Sequence, residues 1–261
     1  MSYLDAFSLE GRVALVPGGG GAIGTAVARA LSGAGARIVV ANRTIDKAEA
    51  TAASIRSTGA EAIAVEADAT SEADAEHAVA TALERFGRLD ILVNCVGGGA
   101  GDVLHDAEAY PRDAWDWIME LNLRSTLVAT QAAARAMIAA GNGGRVVNIS
   151  SVRAQLGINA GYSAYVAAKG AIESLTRQWA TEWARHGITV NAVRPTFVDT
   201  PQVASLLGDP AFRAGVVARI PLGRVGGTDD ITGAVVFFAS PAAAFITGQV
   251  LGIDGDLTAT Q

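Results

Sequence analysis

The sequence predicts an α/β protein whose core is a seven-stranded parallel sheet flanked by helices on both faces. Short runs of β-branched residues alternate along the chain with longer alanine-rich stretches, which is the pattern of parallel strands joined by crossover helices. The runs 13–16 and 38–41 are apolar at every position, as strands buried on both faces require. We expect a single domain over residues 1–261, because sheets of this size commonly form one unit.

The individual elements follow from the same patterns. Strands are expected at the β-branched runs 12–16, 37–41, 62–66, 91–96, 145–149, 189–193 and 250–254. Helices are expected at 22–33, 45–58, 71–86, 112–140, 163–185 and 229–239. Glycine and proline accumulate after strand ends at 97–111 and 196–228. These two segments are expected to be the least regular and to border a ligand site, because open α/β sheets bind ligands beyond the carboxyl ends of their strands.

The amino-acid composition disfavours several kinds of binding partner. Half of the residues are apolar and 18% are charged, yet no apolar run is long enough to span a bilayer. The first residues carry no basic or apolar signal region, so a soluble cytoplasmic protein is expected. A net charge of −6 disfavours nucleic acid and anionic membranes as partners. One cysteine and three scattered histidines suggest neither a disulfide nor a metal site, so the expected partner is a small molecule.

A glycine-rich segment, Pro17-Gly18-Gly19-Gly20-Gly21-Ala22-Ile23-Gly24, separates the first predicted strand from the first predicted helix. Glycine lets the backbone turn sharply and approach a pyrophosphate, while the helix N-terminus offers unpaired N–H groups. Alone, the segment could be only a flexible turn. The order of strand, glycine loop and helix favours a dinucleotide site.

The end of the second predicted strand bears on the choice of dinucleotide. NAD sites usually carry Asp or Glu there, whereas Arg suits the 2′-phosphate of NADP better. This chain has Asn42 followed by Arg43, so NADP(H) is favoured and NAD(H) stays possible. Arg43 could instead be a solvated residue at the start of a helix or stack on adenine. The glycine loop itself contains no second basic residue.

Tyr165 and Lys169 lie four residues apart in a predicted helix, so their side chains share one face. A nearby cation favours the phenolate, and lowering the Tyr pKa by roughly 3 units would take about 4 kcal/mol. Such a pair can act as an acid/base group near neutral pH. Taken alone, it could also be only the edge of an amphipathic helix.

Several further motifs occur in order along the chain. They are the glycine loop, Asn94-Cys95-Val96-Gly97, Asn122, Ser151, Tyr165, Lys169, the segment 194–200 and Ile246-Thr247-Gly248. Together they resemble the short-chain dehydrogenase/reductase family over nearly the whole chain. The resemblance implies a doubly wound Rossmann-type sheet with a seventh strand, an NAD(P) cofactor and a homotetramer.

The resemblance also implies roles for individual residues along the cofactor. These are Gly18, Gly20, Gly21 and Ile23 at the phosphates, Asp68 at adenine, Asn94 and Gly97 along the adenosine ribose and sheet edge, and Thr196, Val198 and Thr200 at the nicotinamide. Asp68 and Asn94 could instead only cap strand ends. Pro17, Ala22, Cys95 and Thr196 depart from the family pattern, which bears on affinity or stability more than on the reaction.

By the same resemblance, Tyr165 is the general acid in reduction and the general base in oxidation. Ser151 hydrogen-bonds the substrate oxygen, and Lys169 lowers the Tyr165 pKa and holds the nicotinamide ribose. Asn122 anchors a water that connects Lys169 to solvent, or only satisfies a kink in its helix. Tyr162 is the rival tyrosine, but it lies seven residues from Lys169.

Ser150 is the corresponding rival of Ser151, which holds the usual family place as the second serine of the pair. The expected activity is hydride transfer between NADP(H) and a ketone or secondary alcohol. The sequence as a whole resembles the polyol, sugar-acid and small-ketone members of the family more than the 3-oxoacyl reductases. Arg153 would suit a carboxylate or a hydroxyl-rich ligand, although the sequence alone favours a surface position for it.

Two other functions are compatible with the fold. A 3-oxoacyl-thioester reductase of fatty-acid or polyketide type is weakened by Val128 and Thr181, which stand where such reductases carry basic docking residues. A non-catalytic nucleotide-binding sensor would generally lose the Tyr or the Lys, and both are present. A homotetramer is expected to pair helices 112–140 and 163–185, whose alanines allow close approach or only pack against the sheet.

Overall fold

The computed structural model describes residues 3–99 and 104–260, and the sheet it contains has seven strands. They are β1 (Val13–Pro17), β2 (Arg37–Asn42), β3 (Ala62–Glu66), β4 (Ile91–Asn94), β5 (Gly144–Ile149), β6 (Ile188–Pro195) and β7 (Val250–Ile253). The order across the sheet is β3-β2-β1-β4-β5-β6-β7, and every pair is parallel. The predicted doubly wound Rossmann-type fold is confirmed.

Nine α-helices are found within the described residues. They are α1 (Ala22–Gly33), α2 (Ile45–Arg56), α3 (Glu72–Phe86), α4 (Arg112–Met119), α5 (Ser125–Ala140), α6 (Ser163–Trp183), α7 (Ala204–Leu207), α8 (Pro210–Val217) and α9 (Asp229–Ala239). In the described part of the chain, no helix is both long and apolar enough to cross a membrane.

The sheet is buried on both faces by two separate layers of apolar side chains. Along β1, Ala14 and Val16 point into the layer formed with α1, α2 and α9. Val13 and Leu15 point into the opposite layer, formed with α3, α5 and α6. All four are at most 1% exposed, because successive residues of a strand face opposite sides of the sheet.

The predicted helix 112–140 is interrupted. A π-helical turn, Glu120–Arg124, separates α4 from α5 and holds Asn122 with no solvent exposure. The Ser125 hydroxyl donates to Leu121 O (2.6 Å) and the Thr126 hydroxyl donates to Asn122 O (3.0 Å), so the carbonyls of the widened turn are satisfied. Such turns are often found at functional sites.

The segment 196–228 is more regular than expected, since it contains α7 and α8. The Asp209 carboxylate caps α8 by accepting from Ala211 N (2.9 Å), with Pro210 at the first helical position. Helices of four and eight residues offer too little periodicity to be detected from the sequence. Part of the other segment expected to be irregular, 97–111, lies outside the described residues.

Candidate active site

The strand order reverses between β1 and β4, and two clefts open at the carboxyl edge of the sheet beside this point. The β2 cleft is lined by, among others, Gly18, Gly20, Gly21, Asn42, Arg43, Lys47 and Asp68. The β6 cleft is lined by, among others, Ile23, Ser151, Arg153, Tyr162, Tyr165, Lys169, Thr196, Val198, Thr200 and Gln202. Cys95, Val96 and Gly97 line both clefts. An elongated ligand could therefore occupy the two clefts together.

The glycine loop that borders the β2 cleft has no room for side chains. A Cβ added to Gly24 would lie 2.1 Å from Gly18 O, and one added to Gly20 would lie 2.7 Å from the Lys47 Cβ. Gly18 has a φ of +75°, which side-chain-bearing residues rarely adopt. The loop leads into α1, whose N-cap Gly21 makes no side-chain cap hydrogen bond. The N–H groups of the first turn therefore have no side-chain partner from the N-cap and are suited to an anion.

The end of β2 presents positive charge to the same cleft. Arg43 and Lys47 both line it, and neither forms an ion pair within 4.0 Å among the described residues. Asn42 places no carboxylate there, and its Nδ2 donates to Thr44 O (3.1 Å). Lys47 was not anticipated from the sequence. Its spacing of four residues after Arg43, at the start of a helix, is the signal that could have found it.

Asp68 lines the β2 cleft and also stabilises its own loop. Its Oδ1 accepts from Thr70 N (2.9 Å) and from the Thr70 hydroxyl (2.8 Å). These hydrogen bonds, opposed by partial burial and helped by the charge of Arg43, lower the pKa of Asp68. Asp68 therefore both caps the turn that follows β3 and lines the β2 cleft.

Asn94 lines neither cleft, and its place along the adenosine ribose stays a prediction. Its Nδ2 donates to the Thr130 hydroxyl and to Asn148 Oδ1, both at 2.8 Å. Asn148 Nδ2 in turn donates to the Thr176 hydroxyl (2.9 Å). This buried polar network connects β4 and β5 to α5 and α6. The side chain points into the protein interior because β4 continues to its last residue with both faces buried.

Ser151, Tyr165 and Lys169 converge in the β6 cleft. The Ser151 hydroxyl lies close enough to the Tyr165 hydroxyl to favour its ionised form, and Tyr162 packs edge-on against Tyr165 with ring centroids 6.1 Å apart. Lys169 Nζ donates to Ile149 O (2.9 Å) and lies 5.6 Å from the centroid of the Tyr165 ring. The helical spacing predicted from the sequence thus brings the phenol and the ammonium group to one wall.

Burial controls the ionisation of both groups. It raises the pKa of Tyr165 above its ordinary value, while the Ser151 hydrogen bond and the charge of Arg153 act in the opposite direction. Burial lowers the pKa of Lys169 to about 8. The expected lowering of the Tyr165 pKa by Lys169 is therefore not observed in the described chain. The reason is that desolvation of the phenolate outweighs the favourable contacts.

Asn122 acts on the backbone next to the shared wall. Its Nδ2 donates to Gly98 O (2.7 Å) and Ile118 O (3.0 Å), and its Oδ1 accepts from Gly98 N (3.0 Å). A Cβ added to Gly97 would lie 2.8 Å from Asn122 Oδ1 and 3.0 Å from Lys169 Nζ. Asn122 thus clamps Gly98 beside Lys169, and its role toward a water stays a prediction.

The remaining cofactor positions fit a nicotinamide dinucleotide. Thr196 Oγ1 is buried in the β6 cleft without a hydrogen-bond partner among the described residues, so it is available to a polar ligand group. Val198 and Thr200 line the same cleft. Cys95, in the shared wall, stays a neutral thiol because burial raises its pKa to about 12. Ile23, expected at the phosphates, lines the β6 cleft and also the adjoining groove beside Gly20 and Gly21.

Comparison with known proteins agrees with this geometry. A sequence model of the family described as Enoyl-(Acyl carrier protein) reductase matches residues 20–258. The chain is 35% identical to gluconate 5-dehydrogenase of Gluconobacter oxydans, covering 99% of each chain, and 36% identical to sorbitol dehydrogenase of Cereibacter sphaeroides, covering 95% and 97%. A gluconate 5-dehydrogenase of Burkholderia cenocepacia, crystallised with NADP and tartrate, superposes with a TM-score of 0.94 at 37% identity over 100% of both chains.

The fold, the site and these relatives define an NAD(P)-dependent oxidoreductase that acts on CH–OH and C=O groups. The chain belongs to the short-chain dehydrogenase/reductase family.

Proposed function

We propose that this protein transfers a hydride between NADP(H) and the ketone or secondary alcohol of a small hydroxylated molecule, with Tyr165 as the general acid/base. Residues 1–261 act as one dinucleotide-binding catalytic domain. The observation that carries the proposal is the convergence of Ser151, Tyr165 and Lys169 in a cleft that shares a wall with the glycine-loop cleft. A substrate held in the first cleft would therefore meet the reactive end of a dinucleotide held in the second.

The cofactor would be held by residues already described. Gly18, Gly20 and Gly21 would cradle the phosphates, Asp68 would border the adenine, and Gly97 would border the adenosine ribose. Tyr165 and Lys169 would border the nicotinamide ribose. Ile23, Thr196, Val198 and Thr200 would border the nicotinamide end. The bound cofactor supplies the hydride for reduction and accepts it in oxidation. Arg43 and Lys47 support NADP(H) over NAD(H), as does the NADP complex of the Burkholderia relative.

The chain's own side chains handle the proton. In reduction, Tyr165 Oη donates its proton to the carbonyl oxygen while the Ser151 hydroxyl hydrogen-bonds the same oxygen. In oxidation, Tyr165 removes the hydroxyl proton. The raised pKa keeps Tyr165 protonated at neutral pH, which is the form that reduction needs. Lys169, whose pKa is about 8, can exchange a proton with its surroundings and thereby restore the pair.

The acyl-thioester alternative receives no support from the positions aligned with carrier docking. Val128 is 3% exposed and packs in the core, so it cannot contact a carrier protein. Thr181 is exposed but neutral. The relatives named above carry the names of dehydrogenases of a sugar acid and a polyol, which supports a small hydroxylated substrate instead.

The test is to follow NADPH absorbance with a panel of keto sugars, keto acids, simple ketones and 3-oxoacyl thioesters. We expect turnover of hydroxylated ketones to exceed that of the thioesters. Faster turnover of thioesters would establish the acyl reductase function instead. Tight NADPH binding with no turnover of any panel member, together with an unchanged cellular phenotype of Tyr165→Phe, would support the sensor.

A further inference from the structure

We propose that Arg153 binds a carboxylate of the substrate, so that the preferred substrates are small hydroxylated keto acids or hydroxy acids. The inference rests on the proposed function and adds the charge of the substrate to it. Arg153 follows Ser151 by two residues, in the short 3₁₀ turn Val152–Ala154, and lines the β6 cleft. It is 5% exposed, which corrects the surface position favoured by the sequence.

Arg153 lacks the partner that a buried guanidinium needs. Its Nη1 donates to Gly157 O (3.2 Å), the one side-chain hydrogen bond found for it in the described chain. No carboxylate of the described residues lies within 4.0 Å of it. Arginine is almost never fully buried unless it is paired, because an unpaired buried charge is costly.

Arg194, at the end of the neighbouring strand β6, shows how this protein treats an arginine with a purely structural role. Its Nε and Nη2 donate to the two carboxylate oxygens of Glu173, each at 2.8 Å, and its Nη1 donates to Gln155 Oε1 (2.5 Å). All three guanidinium nitrogens of Arg194 therefore donate a hydrogen bond. The fork of Arg153 is left largely free beside the catalytic tyrosine.

A second cation adds to the same field. Arg219, after α8, lies close enough to Arg153 to lower its pKa together with burial, the larger cause. Arg219 is exposed and forms no ion pair among the described residues. Two uncompensated cations next to one cleft attract an anion, although the protein carries a net charge of −6.

The position of Arg153 assigns that anion to the substrate. The positive charges suited to the cofactor's 2′-phosphate, Arg43 and Lys47, line the β2 cleft. Arg153 instead interacts electrostatically with Tyr162 and Tyr165 on the catalytic side. A single planar fork matches one carboxylate bidentately. Tyr162, Thr200 and Gln202 supply polar groups for hydroxyls in the same cleft.

The experiment compares a keto-aldonate with the uncharged ketose of the same chain length, using NADPH and the wild type, Arg153→Met and Arg153→Lys. We expect the wild type to favour the keto acid. Arg153→Met should lower kcat/KM for the acid by roughly 10- to 150-fold, mainly through KM, the range of one charge-assisted contact. The neutral ketose should change by less than about threefold, and Arg153→Lys should recover part of the loss.

The matched control is Arg145→Met, which removes a half-buried arginine at the start of β5, remote from the clefts, and should leave the selectivity unchanged. Equal losses for acid and ketose in Arg153→Met would show that Arg153 only holds the Gly157 loop. A shifted pH profile with the ketose would show that it acts through Tyr165. Either result, or a wild type that prefers the ketose or a ketose phosphate, would overturn the proposal.

Binding of an aldonate in the presence of NADPH, a pair that cannot exchange a hydride because both are reduced, is measured by calorimetry and supplies a second readout that needs no turnover. If no NADPH oxidation is seen with either substrate, the proposed function fails. The carboxylate site still stands if the wild type binds the aldonate and folded Arg153→Met does not. Absence of aldonate binding to the wild type, with NADPH present or absent, would reject the site.

Discussion

Lys169 shows the cost of burying an ammonium group beside the Tyr165 ring. Its pKa falls from 10.5 to about 8 because the side chain is buried with one carbonyl partner, Ile149 O. The folded state thus binds this proton more weakly than the unfolded chain does. Protonated Lys169 therefore opposes folding fully below pH 8, and the free energy of unfolding should rise between about pH 8 and pH 10.5.

Lys169→Met is accordingly expected to abolish turnover and yet raise the free energy of unfolding at pH 7 by roughly 1–3 kcal/mol. The gain should shrink as the pH rises above 8, where the wild type loses the buried charge. Urea unfolding at pH 7 and pH 10 measures both values. Lys47→Met, at an exposed lysine, is the control and should change the free energy of unfolding little. A destabilised Lys169→Met at pH 7 would contradict this account.

The cofactor preference is a second property of single residues. Arg43 and Lys47 line the β2 cleft, and Asn42 brings no carboxylate that would repel a phosphate. We expect NADPH to be preferred over NADH by roughly 10- to 150-fold. Lys47→Gln should remove part of this preference, and Asn42→Asp combined with Arg43→Ala should shift it toward NADH, mainly through the cofactor KM.

Initial rates with both cofactors at subsaturating concentration measure the effect. Arg177→Gln, an exposed arginine on α6 that hydrogen-bonds Ser174, is the matched control. Equal or better use of NADH by the wild type would contradict the assignment.

At the scale of elements, the buried network around Asn94 joins the centre of the sheet to two helices. Asn94→Ala would leave the Thr130 hydroxyl and Asn148 Oδ1 without their donor. Because each buried unsatisfied group costs about 1–3 kcal/mol, we expect a loss of about 2–4 kcal/mol in the free energy of unfolding. The NADPH dissociation constant of the folded variant should change little. A large loss of NADPH affinity with unchanged stability would instead support the contact predicted from the sequence.

Thr189, on β6, carries a buried hydroxyl whose removal should not destabilise the protein. Its Oγ1 is buried without a hydrogen-bond partner among the described residues. Thr189→Val replaces this hydroxyl by a methyl group of similar shape, so the free energy of unfolding should stay the same or increase. The same urea unfolding series measures this control variant beside Asn94→Ala.

The sequence predicted the elements well where a local pattern decides them. The bounds of α1 at 22–33 and of β3 at 62–66 match because caps, apolar runs and glycines are all local signals. The π-helical turn at Glu120–Arg124 was missed because an extra residue inside a continuous helical pattern leaves no clear mark. The exposure of Arg153 and the place of Lys47 were also missed, since tertiary packing decides both.

The same limit applies to the site. The spacing of Tyr165 and Lys169 indicated a shared helical face, and the structure places both in one cleft. The direction of the Tyr165 pKa could not be obtained from that spacing. It depends on the depth of burial and on Ser151 and Arg153, which belong to other elements.

At the scale of the whole molecule, we expect a homotetramer. The small residues of α5 offer this less support than the sequence suggested, because Ala132 and Ala133 pack in the apolar layer on one face of the sheet. Apolar side chains elsewhere are left open to solvent: Phe245 is fully exposed, and Leu251 is 42% exposed on β7, the last strand of the sheet. An assembly would cover such groups.

Light scattering coupled to gel filtration should therefore give four times the chain mass of 26.6 kDa at micromolar concentration. Phe245→Asp should lower the measured mass. A monomeric mass for the wild type would show that the alanine-rich helices serve only the core of one chain.

The central claim is that Tyr165 moves the proton, and Tyr162 provides a matched comparison, since both tyrosines line the same cleft in edge-on contact. The most direct measurement is single-turnover NADPH oxidation by Tyr165→Phe and Tyr162→Phe, with the NADPH dissociation constant measured for each. Tyr165→Phe should lower the rate by about 10²- to 10⁴-fold with NADPH affinity within about twofold, because it removes one hydroxyl and little volume. Tyr162→Phe should lower the rate by less than about tenfold. Retained turnover in Tyr165→Phe, or a larger loss in Tyr162→Phe, would contradict the account.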